Sequence, residues 1–167
     1  MHFVKAQAAN YDDYFELRCD ENNVLWSGHK HAPEYKKLKD WYVQNIQRTD
    51  RLFFLAYENE LQKNCIGYLY MDIVGDKKDT VEIGYGVHFN FNGKGYGTKI
   101  IAFATDFVTR KMPQINIVQG WIGQSNLGSI KIFVKNGFIK SDKKKYITLK
   151  RTGENILFEE YLYFINR

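Results

Sequence analysis

Two periods of hydrophobicity alternate along the chain, and the switches between them predict its elements. Residues 3–6 read as a strand, after which Asn10 stands where it can cap a helix from Tyr11 to about Cys19. The next stretch, residues 20–32 (DENNVLWSGHKHA), keeps neither period and reads as a polar, aromatic connection. Pro33 suits the first turn of a second helix that continues to about Gln47. Two apolar strands, residues 51–57 and 66–74, flank a polar loop, and residues 76–79 turn into the strand that carries Glu82. Helical spacing returns at Ile100, Ile101, Ala104, Phe107 and Val108, with Pro113 just beyond. A strand over 117–122 leads to Asn126, a cap for a short helix that Gly137 stops. Residues 138–148 and 156–165 form the last two strands around a Thr152-Gly153 turn. The order β-α-α-β-β-β-α-β-α-β-β describes an α/β (α+β) chain of about seven strands and about four helices, without internal repeats.

The stretch TVEIGYGVHFNFNGKGYGT, residues 80–98, stands out from this pattern. Alternation puts Val81, Ile83, Tyr85 and Val87 on one face, a core face, and Glu82, Gly84, Gly86 and His88 on the other. A nearly bare strand between two titratable groups admits two readings. Either an elongated ligand lies along it, or the glycines accommodate a bulge or a neighbouring aromatic ring. The turn that follows, Asn92-Gly93-Lys94-Gly95-Tyr96-Gly97-Thr98, opens the helix. Glycines there let backbone N–H groups converge on an anion at a helix N-terminus, so the turn reads as a pyrophosphate cradle with Lys94 beside it. It lacks the Gly-Lys-Ser/Thr ending of a Walker loop, and Thr98 occupies the position of the last glycine of a dinucleotide fingerprint.

The turn resembles the Gln/Arg-x-x-Gly-x-Gly/Ala motif of the Gcn5-related N-acetyltransferases, with Asn92 at the Gln/Arg position and Gly95 and Gly97 as its glycines. A second segment about thirty residues on, NLGSIKIFVKNGF from Asn126 to Phe138, is similar to that family's Asn-x-x-Ser/Ala-x-x-x-Tyr-x-Lys-x-Gly-Phe. The resemblance implies a mixed sheet whose fourth and fifth strands splay apart, with acetyl-CoA as co-substrate in the gap. It implies cofactor contacts at Gly86, Val87 and His88, through the turn at Asn92, Gly93, Lys94, Gly95, Tyr96, Gly97 and Thr98, and at Asn126 and Ser129. It implies a catalytic base at Glu82, a further catalytic role for Asn126, and a thioester carbonyl polarised by a backbone N–H near Gly86 or Val87. Phe133 departs from the pattern, since the family often has a tyrosine there to protonate the departing thiolate. The acceptor pocket maps to Trp26, His29, His31 and Tyr35, with Tyr146 opposite. The expected activity is acetyl transfer to a primary amine of a small molecule, an amino sugar or sugar nucleotide among the candidates. A silent acyl-CoA-binding sensor and a protein N-terminal acetyltransferase are the alternatives.

Composition narrows this further. A chain of 167 residues with 16% aromatic content and two prolines is expected to be one domain with a substantial core. No run of eighteen apolar residues suggests a membrane span, and the first ten residues do not read as a secretory signal. Cys19 and Cys65 fit neither a metal spacing nor a disulfide framework, which points to reduced thiols in the cytoplasm and no metal. The net charge is +5, and Lys140, Lys143, Lys144, Lys145, Lys150 and Arg151 cluster near the end. A nucleic-acid surface is set aside in favour of lysines lining the outside of a hairpin. A homodimer is left open.

Overall fold

A computed structural model describes residues 1–27, 29–150 and 152–166; Arg151, counted above in the basic cluster, lies outside the described residues. The strands are β1 (His2–Lys5), β2 (Arg51–Tyr57), β3 (Cys65–Val74), β4 (Thr80–Val87), β5 (Ile117–Gly123), β6 (Ile139–Thr148) and β7 (Asn155–Phe164). They form one mixed sheet in the order β1-β2-β3-β4-β5-β7-β6, antiparallel except for β4 beside β5. Among the described residues the α-helices are α1 (Tyr11–Cys19), α2 (Glu21–Trp26), α3 (Tyr35–Ile46), α4 (Tyr96–Lys111) and α5 (Leu127–Lys135).

Five helices stand where about four were expected, and the added one is α2. Its N-cap Asp20 accepts from the amides of Asn22 and Asn23, both at 3.1 Å, so a local cap starts a helix too short for periodicity to register. Two further expectations need correction. Helix α3 begins at Tyr35, two residues past Pro33. Asn10 sits at the N-cap of α1, but its side chain caps nothing there. Its Oδ1 accepts from Gln7 N at 3.1 Å, and its Nδ2 donates to the Tyr57 hydroxyl at 3.2 Å.

The two faces of the sheet bury different chemistry. Helices α4 and α5 cover an aliphatic core of Leu69, Met71, Val81, Ile83, Ile100, Ile101, Val108 and Val118, with Phe133 and Phe138 at its edge. Helices α1 and α3 cover an aromatic one built on Tyr11, Tyr14, Tyr42, Phe53, Tyr57 and Tyr68.

Strands β4 and β5 pair only from Thr80 to Glu82, against Ile117 to Gln119. Beyond that they part, while β5 stays paired with β7 through Gly123. The parting coincides with Gly120, where an added Cβ would lie 2.5 Å from Cε1 of Phe133. Glycine therefore lets the Phe133 ring lie across β5 at the point where the gap opens. Among the described residues the β5-facing edge of β4 from Ile83 onward has no strand paired with it.

Candidate active site

At one mouth of the gap, β4 runs into a single 3-10 turn, Phe89–Phe91, which His88 starts by accepting from Asn90 N through Nδ1 at 3.2 Å. Gly93 and Gly95 then take φ of +73° and +78°, and Gly95 is the N-cap of α4. Backbone conformation is what requires glycine at both, because an added Cβ would meet nothing within 4 Å. The groove above the turn is thus bare, and the first amides of α4 have no acceptor within the helix. Gly97 is different. Its Cβ would lie 2.6 Å from Ile132 Cδ1, so it is glycine because α4 packs closely on α5. A cavity of about 520 Å³ lies over this turn. Bare backbone donors at a helix N-terminus are a fit for the pyrophosphate of CoA.

A second cavity, about 750 Å³, opens on the other side of the gap. The two share Trp26, Ser27, Tyr68, Tyr85, Asn126 and Ser129 as walls. At this junction the Tyr85 hydroxyl donates to Ser129 Oγ at 3.1 Å, and Asn126 Oδ1 accepts from Ser129 N at 3.1 Å. Burial pushes the Tyr85 phenol up to about 12. Its ring stands 6.1 Å from that of Phe133, which carries no hydroxyl.

Helix α2 forms the partition. Asn23 Nδ2 donates to Val87 O at 3.2 Å, and Asp20 Oδ2 accepts from Phe89 N at 2.9 Å, tying α2 to the end of β4. That contact also explains a glycine. A Cβ on Gly86 would lie 2.0 Å from Asn23 Oδ1 and 2.5 Å from Tyr68 Cε1, whereas one on Gly84 would touch Tyr70 Cδ2 at an ordinary 3.5 Å. The aromatic reading of the bare face therefore holds at Gly86, and Gly84 alone leaves room.

The larger cavity contains a buried cation. Arg18, 7% exposed, donates from Nη1 to the hydroxyls of Tyr14 at 3.1 Å and Tyr70 at 3.3 Å, which also hydrogen-bond each other. Its guanidinium lies over the Tyr14 and Tyr68 rings at 5.9 and 5.7 Å, and its buried Nε has no hydrogen-bond partner among the described residues. Burial alone would lower the Arg18 pKa, but the oxygens of Tyr68, Tyr70 and Tyr14 raise it, so the group stays charged. His29 is pushed down by burial and by the charges of Arg18 and Lys150.

Most of the residues expected at the cofactor lie on the smaller cavity: Gly86, Val87, Asn92, Gly93, Gly95, Tyr96, Gly97, Thr98, Asn126 and Ser129. His88 and Lys94 are not on its wall; the Lys94 ammonium rests 5.4 Å from the Phe91 ring centre. Trp26, His29 and His31 line the larger cavity. Tyr35 does not: its hydroxyl donates to Asp12 and its ring packs on Tyr11 and Phe15. Tyr146 is 74% exposed and also lies off the wall. Glu82 sits at the last ladder pair before the gap, next to the wall residues Ile83 and Gly84 rather than on the wall itself. Gln119 Nε2 donates to its Oε2 at 2.8 Å. Sequence reasoning assigned no role to Tyr85 beyond the core, nor any to Asn23. An Asp directly before six residues free of Gly and Pro was the signal available for α2 and its Asn23.

Part of the charge of the basic hairpin is paired. Lys140 and Lys144 pair with Glu159 at 3.3 and 3.9 Å, Lys143 pairs with Glu160 at 3.5 Å, and Lys145 lies 4.0 Å over the Trp121 ring.

The family model described as acetyltransferase (GNAT) domain matches residues 1–139. The chain belongs to the GNAT acetyltransferase family. Membership makes it an acetyl-CoA-dependent N-acetyltransferase. No curated protein matches it in sequence. Among solved structures it is similar to spermidine N-acetyltransferase from Vibrio cholerae in complex with CoA and spermine. That match has TM-score 0.84 and 14% identity and covers 98% of this chain and 95% of that one. It is also similar to a GNAT-family acetyltransferase from Bacillus anthracis, with TM-score 0.80, 12% identity, and 99% and 95% covered. A third is yncA from Salmonella typhimurium with its cofactor acetyl-CoA, with TM-score 0.76, 17% identity, and 99% and 94% covered. At such identities the likeness speaks for the fold, with its seven-stranded sheet and parallel β4–β5 pair. Among the described residues no helix is long and apolar enough to cross a membrane.

Proposed function

We propose that residues 1–167 act as one domain that transfers an acetyl group from acetyl-CoA to the primary amine of a small molecule, with Glu82 as general base. The observation that carries this reading is the gap between β4 and β5, with the glycine turn at one mouth and the larger cavity at the other. Acetyl-CoA, when bound, supplies a thioester whose thiol has an ordinary pKa of about 8.5. The turn at Gly93–Gly95 and the first amides of α4 hold its phosphates, and the unpaired edge of β4 holds its arm. Backbone N–H groups near Gly86 and Val87 polarise the acyl carbonyl.

The amine must arrive without its proton. An alkylamine with a pKa of about 10.4 is free base in roughly one molecule per 2,500 at pH 7, so a base in reach contributes on the order of 10²–10⁴-fold. Glu82 lies beside the cavity wall rather than on it, so it would take the amine's proton through a bridging water. Gln119 holds its Oε2, and no hydrogen bond among the described residues engages its Oε1. At the leaving side the Tyr85–Ser129 hydroxyl pair stands in for the hydroxyl that Phe133 lacks. A phenol with a pKa of about 12 is a weaker acid than the thiol, so Tyr85 keeps its proton; its one O–H is given to Ser129 Oγ, which leaves the Ser129 hydroxyl hydrogen to donate to the developing thiolate.

Calorimetric titration with acetyl-CoA, followed by thiol release on adding amines, tests the reading. Micromolar binding and amine-dependent thiol release are expected. A protein that binds acetyl-CoA yet acetylates no amine would be a sensor instead, and one that does not bind it would remove the reading altogether. The free thiols of Cys19 and Cys65, the latter pushed up to about 12 by burial, accord with a cytoplasmic setting.

A further inference from the structure

The larger cavity is the acceptor site if the reading above holds, and its charge balance is unusual for an enzyme that binds amines. Its ionisable wall residues are Arg18, Lys30, Lys37, Glu34, His29 and His31. The single carboxylate among them, Glu34, is taken up by Lys37 at 2.8 Å on the exposed rim. Among the described residues Arg18, deep in the cavity, has no carboxylate partner: its neighbours are tyrosine hydroxyls and ring faces, and its Nε has no hydrogen-bond partner. A buried charge without a counter-charge is costly. Tyr14 and Tyr70 orient the guanidinium rather than neutralise it. Burial first, and then the charges of Arg18 and Lys150, push the His29 pKa down.

We propose that the acceptor is an amine that also carries an anionic group, a carboxylate or a phosphate, and that Arg18 binds that group. Guanidinium is the side chain best matched to such oxyanions. The aromatic lining then covers the body of the substrate, and the amine is left to approach the gap. A polyamine, which presents only positive charge, meets Arg18 and Lys30, and the described wall of the cavity offers it no free carboxylate; Glu82, beside the wall, serves only the reacting amine.

The test uses matched acceptors: glucosamine 6-phosphate against glucosamine, γ-aminobutyrate against its amide, and spermidine as a pure cation. In the native protein kcat/KM is expected to favour the anionic member of a pair. Arg18→Met is expected to lower it for that member by roughly 10–100-fold, as for a lost charged hydrogen bond, with its neutral twin changed by less than about 3-fold. Preference for spermidine, or an equal loss on both members of a pair, would overturn the proposal, since a purely structural arginine affects both alike. If acetyl-CoA binds but none of these amines is acetylated, tryptophan fluorescence decides, because Trp26, Trp41 and Trp121 all line this cavity. Saturable quenching by inorganic phosphate, lost in Arg18→Met, supports the anion site, and its absence from the native protein refutes it. Failure to bind acetyl-CoA counts against the function itself and leaves the phosphate titration to judge the anion site.

Discussion

The cleft is built from different material at its two ends. Over the glycine turn the floor is mostly backbone, two positive-φ glycines, the β5-facing edge of β4 and the start of α4 within one stretch of sequence, while α2, β3 and α5 supply side chains around it. Past the junction the wall is mostly side chain, drawn from α1, α2 and the segment after it, α3, β3, β4, β5, α5 and β7. A backbone cradle suits a group that does not vary, such as a pyrophosphate. A side-chain pocket assembled from many segments can change what it fits without disturbing the cradle. The difference predicts that damage at each end is separable.

The largest expected effect lies between the two ends. Glu82→Gln keeps the shape and the contact with Gln119 but removes the base, and kcat is expected to fall by about 10²-fold or more with acetyl-CoA affinity unchanged. The loss should shrink with rising pH. The free-amine fraction grows about tenfold per pH unit until it nears a pKa of about 10.4, so the variant's rate climbs over that window. Turnover equal to native at every pH would take Glu82 out of the base role.

Next comes the backbone end. Gly95→Asp puts a carboxylate where the phosphates are expected, and like charges about 4 Å apart at an effective dielectric near 20 repel by about 4 kcal/mol. With solvent screening, calorimetry should read acetyl-CoA binding weakened by about 100-fold or more. Gly95→Asn is the control, because asparagine tolerates positive φ and adds no charge. A Gly95→Asp protein that binds as well as native would detach the cradle from the ligand. A smaller effect belongs to the junction. Tyr85→Phe removes the hydroxyl bonded to Ser129 and should lower kcat by about 10-fold while both KM values stay near native. Because the phenol titrates only near 12, any basic limb below pH 10 should persist unchanged in the variant.

The same contrast explains what was legible in the sequence. Positive-φ glycines, a strand before them and an amphipathic helix after them are local, so the turn, α4 and the Asn126 cap read directly from residue order. Strand limits were legible to within a residue or so for β2, β3 and β5, whose apolar runs are bounded by polar loops. The larger cavity was legible only in part: Trp26, His29 and His31 do line it, but nothing local says that Arg18 on α1 meets Tyr70 on β3. Tyr35 and Tyr146 resemble binding residues by type, yet one is consumed by Asp12 and the other faces solvent. Tyr85 was hidden for a different reason. Its alternation marks a core position, and only the parting of β4 from β5 turns that position into a wall of the cleft.

The finest test separates two glycines on one strand face. Gly86→Ala drives a methyl into Asn23 and Tyr68, both held by packing on β4, and overpacking of that kind typically costs about 1–3 kcal/mol. A lower Tm, by several degrees for a chain of this size, is the expected reading. Gly84→Ala meets only Tyr70 at van der Waals distance, so the fold should tolerate it. Its methyl instead lies on the wall of the larger cavity and should raise the acceptor KM a few-fold with acetyl-CoA affinity untouched. If Gly84→Ala altered acetyl-CoA binding instead, the backbone end would extend further along β4 than the cavity walls indicate. The division of labour would then fall between Gly84 and Glu82 rather than at the Tyr85–Ser129 junction.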